Sequence, residues 1–245
     1  MGQRKISTKN WQKLWKSNYG FNKNHPVESK IFREIYKISN MGEKILEAGS
    51  GTGKISAKIS ASERKTYLLD IAPEAIMFSK RFFKSKKLKG HFFVGDIFKM
   101  PFADNSFDIV WNSGVVEHFN KKEIKQIYEE MRRVCKRGGK IAIIVPTKGK
   151  IYLKFKAKME ETGKWTYGYE KPIESLCFLD KNIIFENKIA FSEQLEFISL
   201  AYPLVIIPIK ILYILSNLLE HIPGYKKIMT KYWGSYLLIS VFKKG

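Results

Sequence analysis

Residues 45–55 read Ile45-Leu46-Glu47-Ala48-Gly49-Ser50-Gly51-Thr52-Gly53-Lys54-Ile55, an apolar run that ends in an acid and three glycines at alternate positions. Such a turn joins a strand to a helix whose first amides point outward, and it lets a ligand come close to the main chain. The spacing is G-x-G-x-G, which differs from the G-x-G-x-x-G of a dinucleotide turn, and no G-K-[ST] follows as it would in a P-loop. An acid at Glu47 works against a pyrophosphate. It suits a cationic ligand, one carrying an ammonium and a sulfonium.

Further polar residues follow later apolar runs. Asp70 ends the second run, where a carboxylate can accept hydrogen bonds from both hydroxyls of a ribose; an acid at a strand end is also common without a ligand. In Gly95-Asp96-Ile97, after the third run, Asp96 can accept from an adenine amino group while the next amide faces the ring, or it can cap a turn. The fourth run leads through Asn112, Ser113 and Gly114 to Glu117 and His118. His118 is the candidate base or ligand; the plainer reading is a histidine packed beside the pocket, with Glu117 complementing a helix dipole.

The runs that must position these residues are 44–48, 66–70, 91–94, 107–112 and 140–145, separated by helical stretches. Between the last two, Ile124, Ile127, Tyr128, Met131 and Val134 keep helical spacing, and Gly138 and Gly139 are placed to cap that helix. Strands alternating with helical crossovers build a mostly parallel, doubly wound α/β sheet with ligands at the carboxyl ends of the strands.

Taken in order, EAGSGTG, LLDIAP, GDIFKMPFADNSFDIVWNSGVVEHF and RVCKRGGKIAIIVP resemble the successive motifs of class I S-adenosyl-L-methionine-dependent methyltransferases, in particular the small-molecule (type 11) group related to ubiquinone and menaquinone biosynthesis. The resemblance implies a Rossmann-like, seven-stranded sheet with helices on both faces and an antiparallel last strand, here residues 236–241. It also implies that Glu47, Gly49, Gly51 and Gly53, with Ser50 between them, hold the methionine part of the cofactor. Asp70, followed by Ile71, would hold the ribose, and Asp96 with Ile97 the adenine. Asn112, Ser113 and Gly114 would flank the sulfonium. Some quinone-pathway relatives carry a similar Glu-His pair connected with metal binding, but no ligand spacing in the chain itself calls for a metal.

A single domain is expected, with a helical cap over 1–40, a cofactor-binding core over 41–146, a substrate-side insertion over 147–235 and the last strand. Tyr19, His25, Tyr167 and Glu170 lie in segments that this family folds over the active site, and none has an assigned role. Residues 200–222 are almost wholly apolar and long enough to span a bilayer, but a crossing would strand the last β-strand on the far side. The remaining readings are a lid over an apolar acceptor, a helix lying on an anionic membrane surface and a core helix.

Lys and Arg number 44 against 23 acids, a formal charge of +21 on 245 residues. The excess would favour phosphates of nucleic acid or lipid, and it also fits lysine-rich codon drift. Cys135 and Cys177 lack disulfide or zinc spacing, and no leader pattern opens the chain, so a cytoplasmic protein, peripheral at most, is expected. Three functions compete: an enzyme methylating a small, apolar or lipid-like acceptor, a nucleic-acid methyltransferase that uses the charge, and a cofactor-binding protein without turnover. The fourth strand lacks the Asn/Asp-Pro-Pro-aromatic signature of exocyclic base methylation, which counts against the second only in part.

Overall fold

The computed structural model describes residues 26–165, 169–189, 195, 206–219 and 221–245. Seven strands form one sheet in the order β3-β2-β1-β4-β5-β7-β6: β1 (Lys44–Ala48), β2 (Lys65–Asp70), β3 (His91–Val94), β4 (Phe107–Ser113), β5 (Cys135–Pro146), β6 (Ile183–Ile189) and β7 (Leu237–Lys243). Strands β1 to β5 pair in parallel, and β7 runs antiparallel to both β5 and β6. The doubly wound Rossmann-like sheet expected from the motifs is therefore present, with its antiparallel last strand.

Period-two alternation in β1, β4 and β5 feeds two cores, one on each face. Leu46, Val110, Ile141 and Ile143 face one core, while Ile45, Ile109, Trp111, Ala142 and Ile144 face the other. The first is closed by α4 (Lys121–Val134), whose Ile124, Ile127, Tyr128, Met131 and Val134 are all buried. The second is closed by α1 (Pro26–Ile38) through Ile31, Ile35 and Ile38. Each such isoleucine stabilises the fold by about 1.5–3 kcal/mol when fully buried. The remaining crossovers are α2 (Lys54–Ser60) and α3 (Pro73–Ser85).

Helix α4 starts at a capping box. The Asn120 side chain accepts from the Lys122 and Glu123 amides, and Glu123 returns the bond to the Asn120 amide. Its end departs from the expectation for Gly138 and Gly139. The C-cap is Cys135, already extended at φ −73° and ψ 141°, so β5 begins at once and both glycines lie within it. A Cβ at Gly139 would sit 2.7 Å from the Asp108 carbonyl oxygen and 2.8 Å from Cys135 Sγ. Glycine is required there by a register irregularity where β5 first meets β4, not by a helix cap.

Beyond β5 come α5 (Lys150–Glu161), β6, α6 (Ile206–Leu219) and α7 (Tyr225–Trp233). Helix α6 is the described part of the apolar segment, and it is not a core helix, since Leu212 and Leu218 are 50% and 64% exposed. Among the described residues no helix is long and apolar enough to cross a membrane.

Candidate functional site

The glycine turn is tied to the end of β2. The amides of Gly49 and Ser50 both donate to the Leu69 carbonyl, at 2.8 and 2.9 Å, and the Gly51 amide donates to Asp70 Oδ2 at 2.8 Å. Three successive turn amides thus point into the protein. A phosphate would find no donors from them, whereas carboxylates and carbonyls remain for a cation. Gly49 has φ +84°, and a Cβ there would lie 2.5 Å from Val115 Cγ2. The turn after β1 and the chain after β4 are therefore in contact. Gly53 is left-handed as well, at φ +64°, as the N-cap of α2.

Glu47 is 5% exposed and its Oε2 accepts the Ser56 hydroxyl at 2.5 Å. Burial pushes its carboxyl up to about 8, with Asp70 and Glu28 adding to the rise. Among the described residues no cation offsets that desolvation, and a ligand ammonium or sulfonium beside it would do so. Asp70, 8% exposed, is also raised by burial. Its Oδ1 accepts the Ala72 amide at 2.9 Å and its Oδ2 the Gly51 amide, which leaves each oxygen a lone pair for a ribose hydroxyl. The Ser50 hydroxyl is buried without a hydrogen-bond partner among the described residues. A buried acid without a cation and an orphaned hydroxyl fit S-adenosylmethionine at this edge.

The remaining sequence candidates divide. Asp96 is exposed and its Oδ1 accepts the Phe98 amide at 2.9 Å, so the turn-capping role is present; Ile97 sends its side chain into the core and Ile71 is half-buried. The turn that follows is held by Arg133, which donates to the Phe102 and Met100 carbonyls and to Asp104 and Glu130. Asn112 is fully buried and its Nδ2 donates to Met131 Sδ at 3.2 Å, so its side chain faces α4. Ser113 is half-buried and Gly114 exposed at the open end of β4, with φ +71°.

A second cluster sits just beyond Gly114. Val116–His118 forms a 3-10 turn that buries both Glu117 and His118. A Cβ on Gly114 would lie 3.6 Å from Glu117 Oε1, and Glu117 Oε2 is buried with no hydrogen-bond partner among the described residues. His118 Nδ1 lies 2.6 Å from the Tyr169 carbonyl; since a carbonyl only accepts, Nδ1 carries the proton and Nε2 the lone pair. Glu170 joins from the segment between α5 and β6, accepting the Tyr152 hydroxyl on its side chain and Lys156 Nζ on its carbonyl.

Donor atoms of Glu117, His118 and Glu170 lie within 4.8 Å of one another, a set able to pass a proton or to hold a cation. Burial holds Glu117 well above the usual carboxylate range, with Glu170 adding to it, and lifts Glu170 to about 7. Burial also lowers His118. The imidazole is therefore neutral and able to accept a proton. Glu170 has no periodic relation to Glu117, and only the fold brings them together. Tyr19, His25 and Tyr167 lie outside the described residues.

Residues 46–143 match the model of a type 11 methyltransferase domain. The demethylmenaquinone methyltransferase of Renibacterium salmoninarum is 33% identical over 102 residues, 42% of this chain and 40% of that protein. The chain thus spans about two fifths of that relative's length. An uncharacterized protein of Methanocaldococcus jannaschii is 27% identical over 224 residues, 87% of each chain. Among solved structures, the geranyl diphosphate C-methyltransferase of Streptomyces coelicolor, in complex with Mg2+, geranyl diphosphate and S-adenosyl-L-homocysteine, superposes with a TM-score of 0.60 over 96% of this chain and 84% of its own, at 13% identity. That likeness is one of fold. The family match is to a methyltransferase domain and covers residues 46–143, about two fifths of the chain.

Proposed function

We propose that the protein transfers a methyl group from S-adenosyl-L-methionine to a small, apolar or lipid-like acceptor. The observation that carries the reading is the pair of buried acids, Glu47 and Asp70, at the ends of β1 and β2. Glu47 stands where a methionine ammonium needs a carboxylate, and Asp70 where a ribose needs two acceptors. The cofactor supplies a methyl group already activated on a sulfonium. The protein's task is then to align an acceptor in line with it, and positioning alone can supply about 7–11 kcal/mol.

Gly114 leaves the end of β4 open for that approach, and Glu117 and His118 lie directly beyond it. For an acceptor that arrives as O–H or N–H, His118 Nε2 takes the proton while the Tyr169 carbonyl holds the ring. The burial of Glu117 keeps water away from the reacting atoms. A lipid-like acceptor is supported by the exposed apolar helix α6 and by a relative named for demethylmenaquinone.

The +21 charge favours a second acceptor class, nucleic acid. Incubation with methyl-labelled S-adenosylmethionine, with a lipid extract and with total RNA in parallel, separates the two. Label in the lipid fraction is the expected result. Label in RNA alone would transfer the acceptor to nucleic acid, and label in neither would leave a cofactor-binding protein.

A further inference from the structure

Helix α6 carries its polarity inside out. Ile211, Leu212, Ile214, Leu215 and Leu218 are 48–64% exposed, while among the described side chains of the helix the buried one is Ser216, at 5%. The Tyr225 hydroxyl donates to Ser216 Oγ at 3.3 Å, so the serine marks the side that faces α7. A helix on the surface of a water-soluble fold turns its apolar stripe inward, and an apolar surface of this extent marks an interaction site.

Helix α7 is apolar and exposed as well: Ile228, Tyr232 and Trp233 are 56%, 60% and 44% exposed. Lys227 and Lys231, one helical turn apart, are exposed beside them. Lys227, Ile228, Lys231 and Tyr232 share one side of α7, and aliphatic groups, a Tyr and a pair of lysines are the composition of a helix lying in the headgroup region of a bilayer.

Charge distinguishes the occupants. Pairing this face with its own copy would bring together two bodies of +21 each, and the repulsion opposes assembly. An anionic lipid surface is attracted by the same charge, and each lysine near it adds about 1 kcal/mol. Nucleic acid would use the lysines but leave the leucines in water.

Placement supports the same partner. Helix α7 ends at Gly234, where a Cβ would lie 3.1 Å from Gly149 Cα, and Tyr236 packs its ring 4.7 Å from that of Tyr152. Tyr152 is the donor to Glu170, so the chain leaving α7 enters the sheet beside the Glu117–His118–Glu170 cluster. We infer that the α6–α7 face docks on an anionic phospholipid bilayer by inserting the α6 leucines, with Lys227 and Lys231 on the headgroups. Docking is independent of methyl transfer, and a membrane at this edge brings an apolar acceptor to the site.

The test is co-sedimentation of the full chain, without cofactor, with vesicles of phosphatidylcholine alone and of phosphatidylcholine mixed with phosphatidylglycerol. Sedimentation with the anionic vesicles, partly retained in high salt, is expected. Leu215→Glu with Leu218→Glu should lower the partition coefficient about a hundredfold in either salt. Lys227→Glu with Lys231→Glu should lower it about tenfold or more in low salt only. All four side chains are exposed, so circular dichroism and the thermal midpoint should match wild type. The inference is overturned if wild type stays in the supernatant with both vesicles, or if the leucine pair sediments like wild type. It is also overturned if light scattering shows a dimer that the leucine pair dissociates while no vesicle is bound, which would assign the face to a second copy.

Discussion

The carboxylate of Asp70 accepts the Gly51 amide at 2.8 Å and the Ala72 amide at 2.9 Å, so one side chain fastens the turn after β1 to the chain leaving β2. Asp70→Ala strands both amides and should destabilise the protein by about 1–3 kcal/mol even without cofactor. Urea unfolding of the two proteins measures it. A variant as stable as wild type would show that the turn holds its shape without the acid.

Glu47 sets a pH dependence whose sign can be worked out. Burial raises its carboxyl from 4.5 to about 8, so between those values the folded chain holds a proton that the unfolded chain has released. Stability is therefore greatest below the unfolded value and falls as pH rises towards about 8. Glu47→Gln should flatten that fall in thermal melts. Binding of an ammonium needs the carboxylate, so cofactor affinity should rise up to about tenfold per pH unit between about pH 5 and pH 7 in wild type, and stay low and level in Glu47→Gln.

Gly49→Ala places a methyl 2.5 Å from Val115 Cγ2 in a left-handed conformation. The expected loss is about 2–4 kcal/mol of stability, from clash and backbone strain together. Adding Val115→Ala removes the clash and leaves the strain of about 1–2 kcal/mol, so the double variant should recover part of the thermal midpoint. No recovery would mean that Val115 is not what confines the turn.

Arg133 donates to two carbonyls and two carboxylates around residues 100–104. Arg133→Ala should free that turn, which follows the candidate adenine residues Asp96 and Ile97, raising amide exchange at residues 98–106 and weakening cofactor binding, at about 1–3 kcal/mol for the charged bonds lost. Unchanged exchange in the turn would remove Arg133 from this role.

Strands β1 to β4 were legible because each is a short apolar run closed by a polar or glycine residue, and their ends carry the cofactor candidates. The start of β5 is less legible: Gly138 and Gly139 look like a helix cap in sequence, and only the pairing with β4 shows that they serve its bulge. Asn112 and the Glu117–Glu170 pairing were illegible for another reason. Which face a buried amide takes, and which distant acid arrives beside Glu117, depend on packing between elements rather than on periodicity. The exposure of α6 was equally hidden, since an apolar run reads alike whether it is buried or bare.

The most direct test is calorimetric titration of the wild-type protein and Asp70→Ala with S-adenosyl-L-methionine. Saturable one-to-one binding by wild type, at least tenfold weaker in the variant, is the predicted result. Absence of binding by the folded wild-type protein would contradict the assignment of the Glu47–Gly53 turn and Asp70 to this cofactor.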